Sequence, residues 1–248
     1  MVPRSSRQYE THRELESPIR KIGRVIRFLV LLFLVYEGIT TLLFSTVRQE
    51  TIAMEPTLST GDRLITLPPV YGPRIRLFNW VLPGFRAPSR GDLVTLRPGF
   101  AERPGIARRL FGPLYRFFTL DNRPTDDEDE WNNALQIKRI VGLPGDTVRM
   151  ERFVAYVRPA GEREFASEFA LAGGFYEIIA EDRPVDWRPL DPFGPAMEDF
   201  ELGDDEYFVL ADNRSTATDS RHWGPIGPEA ITASVSIRFW PFSRLGRP

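Results

Sequence analysis

Residues 28–47, FLVLLFLVYEGITTLLFSTV, constrain this chain more than any other stretch, because twenty positions hold a single charge, Glu37. A helix needs about 20 apolar residues, rising ~1.5 Å each, to cross the hydrocarbon core of a bilayer. The run is therefore predicted to be a transmembrane helix. A cleaved secretory leader would have a shorter apolar region and an Ala-x-Ala-like cleavage site after it, and no such site follows. Residues 1–27 carry seven Arg and Lys against three Glu, whereas Arg48 beyond the run is offset by Glu50. Positive charge stays on the cytoplasmic side. This predicts a cytoplasmic segment 1–27, a single span 28–47 in the cytoplasmic (inner) membrane, and a domain 48–248 on its outer face. Glu37 is costly at mid-membrane, and a partner helix, protonation or a short water defect would each relieve that cost.

Past the span the pattern changes to short strand-like runs between Gly and Pro turns, at 63–67, 90–96, 137–141, 147–157, 206–210 and 231–240. Helical periodicity is nearly absent, which predicts a mainly β outer domain. Residues 158–200 are rich in loops and acids and read as an insertion. The mixture of arginine and large aromatics at 103–118 suits a bilayer interface or a plain core, while 68–90 reads as core aromatics with a solvated face. The acids at 126–130 read as a solvated loop. The Arg90-Gly91-Asp92 triplet reads as a turn entering a strand.

Chemistry is narrowed by what is missing. There is no cysteine, and the two histidines, His12 and His222, leave little for a zinc site or a Ser-His-Asp triad. No metal or other cofactor is expected. A net charge of −2 gives no nucleic-acid footprint. Of 32 Lys and Arg only Lys21 and Lys138 are lysine. Lys138 sits in an apolar run, Ile137 to Val141, closed by Leu143-Pro144-Gly145-Asp146, which has Pro and Gly where a type II turn needs them. Burial disfavours the charged form, so a buried lysine can become a base, which arginine essentially cannot. A salt-bridged or snorkelling lysine is the plain alternative.

Four segments taken together resemble the bacterial type I signal peptidases, membrane-bound Ser/Lys endopeptidases with a β-fold shared with LexA-like peptidases. Ala53-Met54-Glu55-Pro56-Thr57-Leu58 is similar to S-M-x-P-T-L, and Arg90-Gly91-Asp92-Leu93-Val94 to R-G-D-[IV]-V. Residues 138–146, KRIVGLPGD, are similar to K-R-[IV]-[IV]-G-L-P-G-D, and residues 212–214 with 219–224 to G-D-N-R…D-S-R-x-W-G. The C-terminal FWPFSRLG is also similar. The resemblance implies removal of signal peptides from exported preproteins. A serine passes its proton to a neutral lysine and attacks the scissile carbonyl, and preorganised donors hold the oxyanion. Carried over, Lys138 is the general base, Thr51 the oxyanion hydroxyl, Asp219 and Arg221 a supporting pair, and Met54 and Pro56 substrate contacts. Signal peptides and membrane lipid are the implied partners, with an active signal peptidase or the export machinery as further ones.

The resemblance breaks at the nucleophile position, which is Ala53. A methyl cannot attack a carbonyl. The lysine-bonding serine of the family falls on Ala217, and the opening glycine of the last box on Ala211. The chain as written is therefore expected to be a pseudoenzyme that keeps the scaffold. Two alternatives stand beside this: a nucleophile variant of an active enzyme, and a membrane-tethered structural or interaction β domain. Thr51, Thr57 or Ser59 would be the substitute nucleophiles, and the steep loss on removing a member of a catalytic set argues against rescue.

Overall fold

A computed structural model of the chain describes residues 18–72, 74–75, 80–97, 135–180 and 196–248. The stretches 103–118 and 126–130, and residues 1–17 of the N-terminal segment, lie outside the described residues.

The chain enters through helix α1, Pro18–Leu42. Among the described residues it then forms twelve strands: β1 Ser45–Arg48, β2 Arg63–Leu67, β3 Arg74–Ile75, β4 Trp80–Val81, β5 Leu93–Leu96, β6 Gln136–Gly142, β7 Thr147–Glu151, β8 Val154–Arg158, β9 Ala166–Ser167, β10 Met197–Glu201, β11 Phe208–Leu210 and β12 Ile231–Trp240. The one-turn helices α2 Glu168–Leu171 and α3 Ser220–Trp223 lie between described strands. The mainly β expectation holds. A six-stranded sheet has the order β1-β2-β12-β5-β6-β11, and a four-stranded sheet the order β10-β7-β8-β9. Every pairing between these strands is antiparallel.

The predicted helix 28–47 is corrected at both ends. Helix already covers 18–27, and it stops at Leu42, because residues 45–48 extend and pair with β2 from Ser45↔Thr66 to Arg48↔Arg63. The β-branched Thr46 and Val47 favour that strand. The apolar part that remains helical, 28–42, rises only about 22 Å against a hydrocarbon core of about 30 Å. Among the described residues, no helix is long and apolar enough to cross a membrane. The helix is nonetheless bare: Ile22, Val25, Phe28, Leu31 and Leu34 are each more than half exposed.

Three apolar clusters organise the rest. Leu93 and Ile137 pack with Met54, Leu58, Leu64, Ala211, Ala217 and Val235. Their strand neighbours Val94 and Ile140 point the other way, into a cluster with Val209, Ile226 and Ile231, as the two-residue period of a strand requires. The third cluster joins the sheets through Val141, Phe208 and Leu210 on one side and Val148, Met150 and Val157 on the other.

The turns are specified locally. Gly145 has φ +76°, and Asp146 N–H donates to Leu143 O at 3.0 Å, the type II geometry expected of Pro-Gly. Gly91 has φ +85°, and a Cβ there would lie 2.8 Å from Ala172 O, so the turn admits only glycine. Arg90 and Asp92 are consumed structurally: Arg90 pairs with Asp146 at 2.7 Å, and Asp92 accepts from Arg86, Tyr71 and Ser89 N–H.

The stretch 158–200 is more than a loop-rich insertion. It supplies β9, α2 and β10, and it buries Glu168 against the totally enclosed Arg214, with Nη2 to Oε2 at 2.6 Å. Arg214 also donates to Phe153 O at 2.9 Å. Phe153 and Arg152, both with positive φ, form the tight turn between β7 and β8 where Asn-Gly is the usual choice. Burial of Phe153 and the Arg214 bond hold that strained turn in place.

Candidate active site

The box around Ala53 begins with a short 3-10 turn, Ile52–Met54, capped by Thr51. Residues 53–62 are clasped from two directions. On one side Asn213 N–H donates to Ala53 O at 3.0 Å, and Asn213 Nδ2 reaches Ile52 O at 3.4 Å. Thr57 Oγ1 donates to Asp212 at 2.6 Å, and Arg139 holds the same carboxylate through two bonds of 2.8 and 2.6 Å. On the other side Arg238 donates to Thr57 O at 3.0 Å and to Asp62 at 3.2 Å, and Arg244 donates to Ser59 Oγ at 2.8 Å. The C-terminal segment therefore works as a brace for the Ala53 box.

Lys138 lies at the centre of β6, paired in register with Val94 of β5. The residue is only 3% exposed. Among the described residues Nζ makes no hydrogen bond and no ion pair. Burial pulls its pKa down from the ordinary 10.5 to about 8; Asp219 and Asp212 oppose that shift and Arg221 reinforces it. β11 ends with Leu210 opposite Arg139, so the chain that continues through 211–213 runs from the Lys138 strand to the Ala53 carbonyl.

Asp219 and Arg221 meet as a buried bidentate pair, with Nε to Oδ1 at 2.8 Å and Nη2 to Oδ2 at 2.9 Å. Burial raises the Asp219 pKa, but Arg221 and the bonds from His222 and Arg221 outweigh it and hold the carboxyl far below the usual range. Asp219 also caps α3, in a reciprocal box with His222, and accepts from Ala211 N–H at 3.0 Å. Arg221 continues to Arg214 O at 2.9 Å and Ala217 O at 3.3 Å, pinning the loop that carries Ala217. His222 is thus a cap residue.

The other expected residues divide. Ala217 belongs to the apolar cluster against which Ala53 packs. Thr51 Oγ1 accepts from Ala53 N–H at 3.4 Å and from Gln49 Nε2 at 3.3 Å, which leaves its own hydrogen to donate. Pro56 is exposed. Met54, expected beside it as a substrate contact, is fully buried among Leu58 and Leu64, so its side chain serves the core. Thr57 and Ser59 are committed to Asp212 and Arg244, which leaves neither poised to replace a serine.

Sequence reasoning assigned no role to Asn213, Asp212, Arg139, Glu168 or Tyr176. The first three lie inside motif boxes, where a buried-polar reading was available. Glu168 had no local signal; it binds Arg214, receives Tyr176 O–H and accepts from Ala155 N–H at 2.8 Å. The Tyr176 ring lies 3.8 Å from the Arg139 guanidinium carbon, so this network touches the site from behind. Chemically, the site offers an amine able to take a proton, a hydroxyl and a backbone N–H able to donate, and a methyl where attack would begin.

Comparison with known proteins agrees with these boxes. The chain is 28% identical over 241 residues to a probable signal peptidase I-2 of Synechocystis sp., covering 96% of this chain and 82% of that protein. It is 26% identical over 197 residues to the signal peptidase I of Leptolyngbya laminosa, covering 78% and 68%. A crystal structure of a signal peptidase I from Enterococcus faecalis V583 aligns over 60% of this chain and 97% of that one, at 17% identity and a TM-score of 0.31. The sequence profile described as signal peptidase, peptidase S26, matches residues 22–240. The chain belongs to the signal peptidase, peptidase S26, family.

Proposed function

We propose that this protein binds the signal peptides of exported preproteins at the outer face of the cytoplasmic membrane and does not itself cut them appreciably. The observation that carries the reading is a methyl at Ala53 beside a fully built support: Lys138 buried, Asp219 and Arg221 paired, and the Ala53 box clasped by Asn213 and Asp212. Family membership supplies the substrate class. The bare apolar helix 18–42 supports attachment to lipid, since exposed apolar surface on this scale marks a membrane or partner contact. The exposed apolar side chains run along the helix from Ile22 to Leu34, which supports its contact with a bilayer.

The retained base favours a second reading, that position 53 is naturally serine and that this chain is a nucleophile variant of an active signal peptidase I. The codon at position 53 of the native gene decides it. For the chain as written, the test is incubation of the full protein in detergent with a preprotein, together with a photo-crosslinker placed at Pro56. Crosslinks to signal sequences without cleavage are expected. Efficient cleavage that depends on Lys138 would overturn the non-cutting reading. Absence of crosslinks would leave a membrane-tethered interaction domain.

A further inference from the structure

Arg139 ties the Ala53 box to the rest of the domain. Its guanidinium edges are committed: Nε and Nη2 donate to Asp212 at 2.8 and 2.6 Å, Nη2 also to Thr57 Oγ1 at 3.3 Å, and Nη1 to Gly91 O at 2.9 Å. Asp212 in turn accepts from Thr57 Oγ1 at 2.6 Å, and Asn213, the next residue, donates its N–H to Ala53 O at 3.0 Å. The guanidinium is a planar fork, so these bonds fix it within its plane and leave its flat face to be held by something else. The Tyr176 ring covers that face, 3.8 Å from the guanidinium carbon. Both residues are buried, so water does not weaken the attraction between cation and ring.

Tyr176 belongs to none of the motif boxes and is itself anchored on both sides. Its hydroxyl donates to Glu168, which Arg214 and Ala155 N–H hold in turn. Its ring packs on Phe169 of α2, with centroids 5.0 Å apart. Three residues on, Ile179 N–H donates to Asp212 O at 2.9 Å and Ile179 O accepts from Arg214 N–H at 2.8 Å, a parallel bridge alongside Asn213. We infer that Tyr176 is a positioning residue. Its ring sets the orientation of Arg139 and, through Asp212 and Asn213, the place of the Ala53 box, while Glu168 holds the ring. The stretch 158–200 thereby has a task, as the back support of the site. The inference rests on the peptide-binding reading for what the box does, and adds the residue that sets where the box lies.

Hydrogen exchange of the full chain in detergent, without peptide, tests this at residues 52–59, with 63–67 and 231–240 as internal references. Two variants are compared: Tyr176→Phe, and the same phenylalanine carrying three ring fluorines, which keeps the shape and drains negative charge from the ring face. Tyr176→Phe is expected to leave exchange at 52–59 little changed. The fluorinated ring is expected to raise it about tenfold, with 63–67 and 231–240 unmoved. Equal exchange at 52–59 in the two variants would reduce Tyr176 to a packing residue and overturn the inference. A rise of the same size in all three segments would overturn it too, since that is loss of global stability. Signal-sequence crosslinks at Pro56 are expected to fall with the fluorinated ring alone. Ring-dependent exchange with no crosslinks in any form would overturn the peptide-binding reading and leave the positioning role standing.

Discussion

Replacing Lys138 by methionine should stabilise the fold, and by an amount that depends on pH. Burial lowers the lysine pKa from 10.5 to about 8, so the folded state disfavours the proton that the unfolded chain keeps. Below about pH 8 both states are protonated, and the folded protein bears the whole penalty, about 3 kcal/mol. Between about pH 8 and 10.5 the unfolded chain binds more protons, so stability rises with pH and the penalty fades. Methionine has a similar shape and no charge. Lys138→Met is therefore expected to gain about 3 kcal/mol at pH 7 and roughly half of that at pH 9.5. Any pH-independent packing difference cancels when the two gains are subtracted. Urea unfolding of the full chain in detergent, followed by tryptophan fluorescence at both pH values, measures this. A change in stability that is equal at both pH values, or more favourable at pH 9.5, would refute the account of Lys138 as a buried cation. Lys138→Arg, which cannot neutralise, should destabilise at both.

Glu168→Gln should cost about 3–5 kcal/mol in the same assay, because it strands the enclosed Arg214 cation, and adding Arg214→Met should recover most of that loss. An additive double variant would argue against the pairing. Asp219→Asn removes a charge that holds the Lys138 pKa up, so the pH profile of amine labelling at Lys138 should move to lower pH, with Lys21, the only other lysine, unchanged; an unmoved profile contradicts the coupling. Ala53→Ser should create preprotein cleavage that rises as pH passes through about 8, disappears with Lys138→Met and grows further with Ala217→Ser. Absence of any Lys138-dependent cleavage would mean that the base and position 53 are not in register for proton transfer.

Much of this protein follows from signals that act over a few residues. β2 and β12 occupy the residues their apolar patterns predicted, 63–67 and 231–240, because strand period and bounding turns are local. Pro144-Gly145 dictated its turn, since only glycine tolerates φ +76° there without strain. The isolated Lys138, the motif boxes and the methyl at Ala53 were likewise open to reading in one dimension. The tertiary structure decided where distant segments meet. Arg214 and Glu168, 46 residues apart, share a buried salt bridge, and no local pattern marks a glutamate that will lose its water. Met54 looks like a groove residue in its box and is in fact core, because Leu58 and Leu64 return to cover it. The apolar run 28–47 reads as one helix until β2 offers residues 45–48 a partner strand. Burial and charge pairing are properties of neighbours in space, so the lowered pKa of Lys138 exists only once the sheet has closed around it.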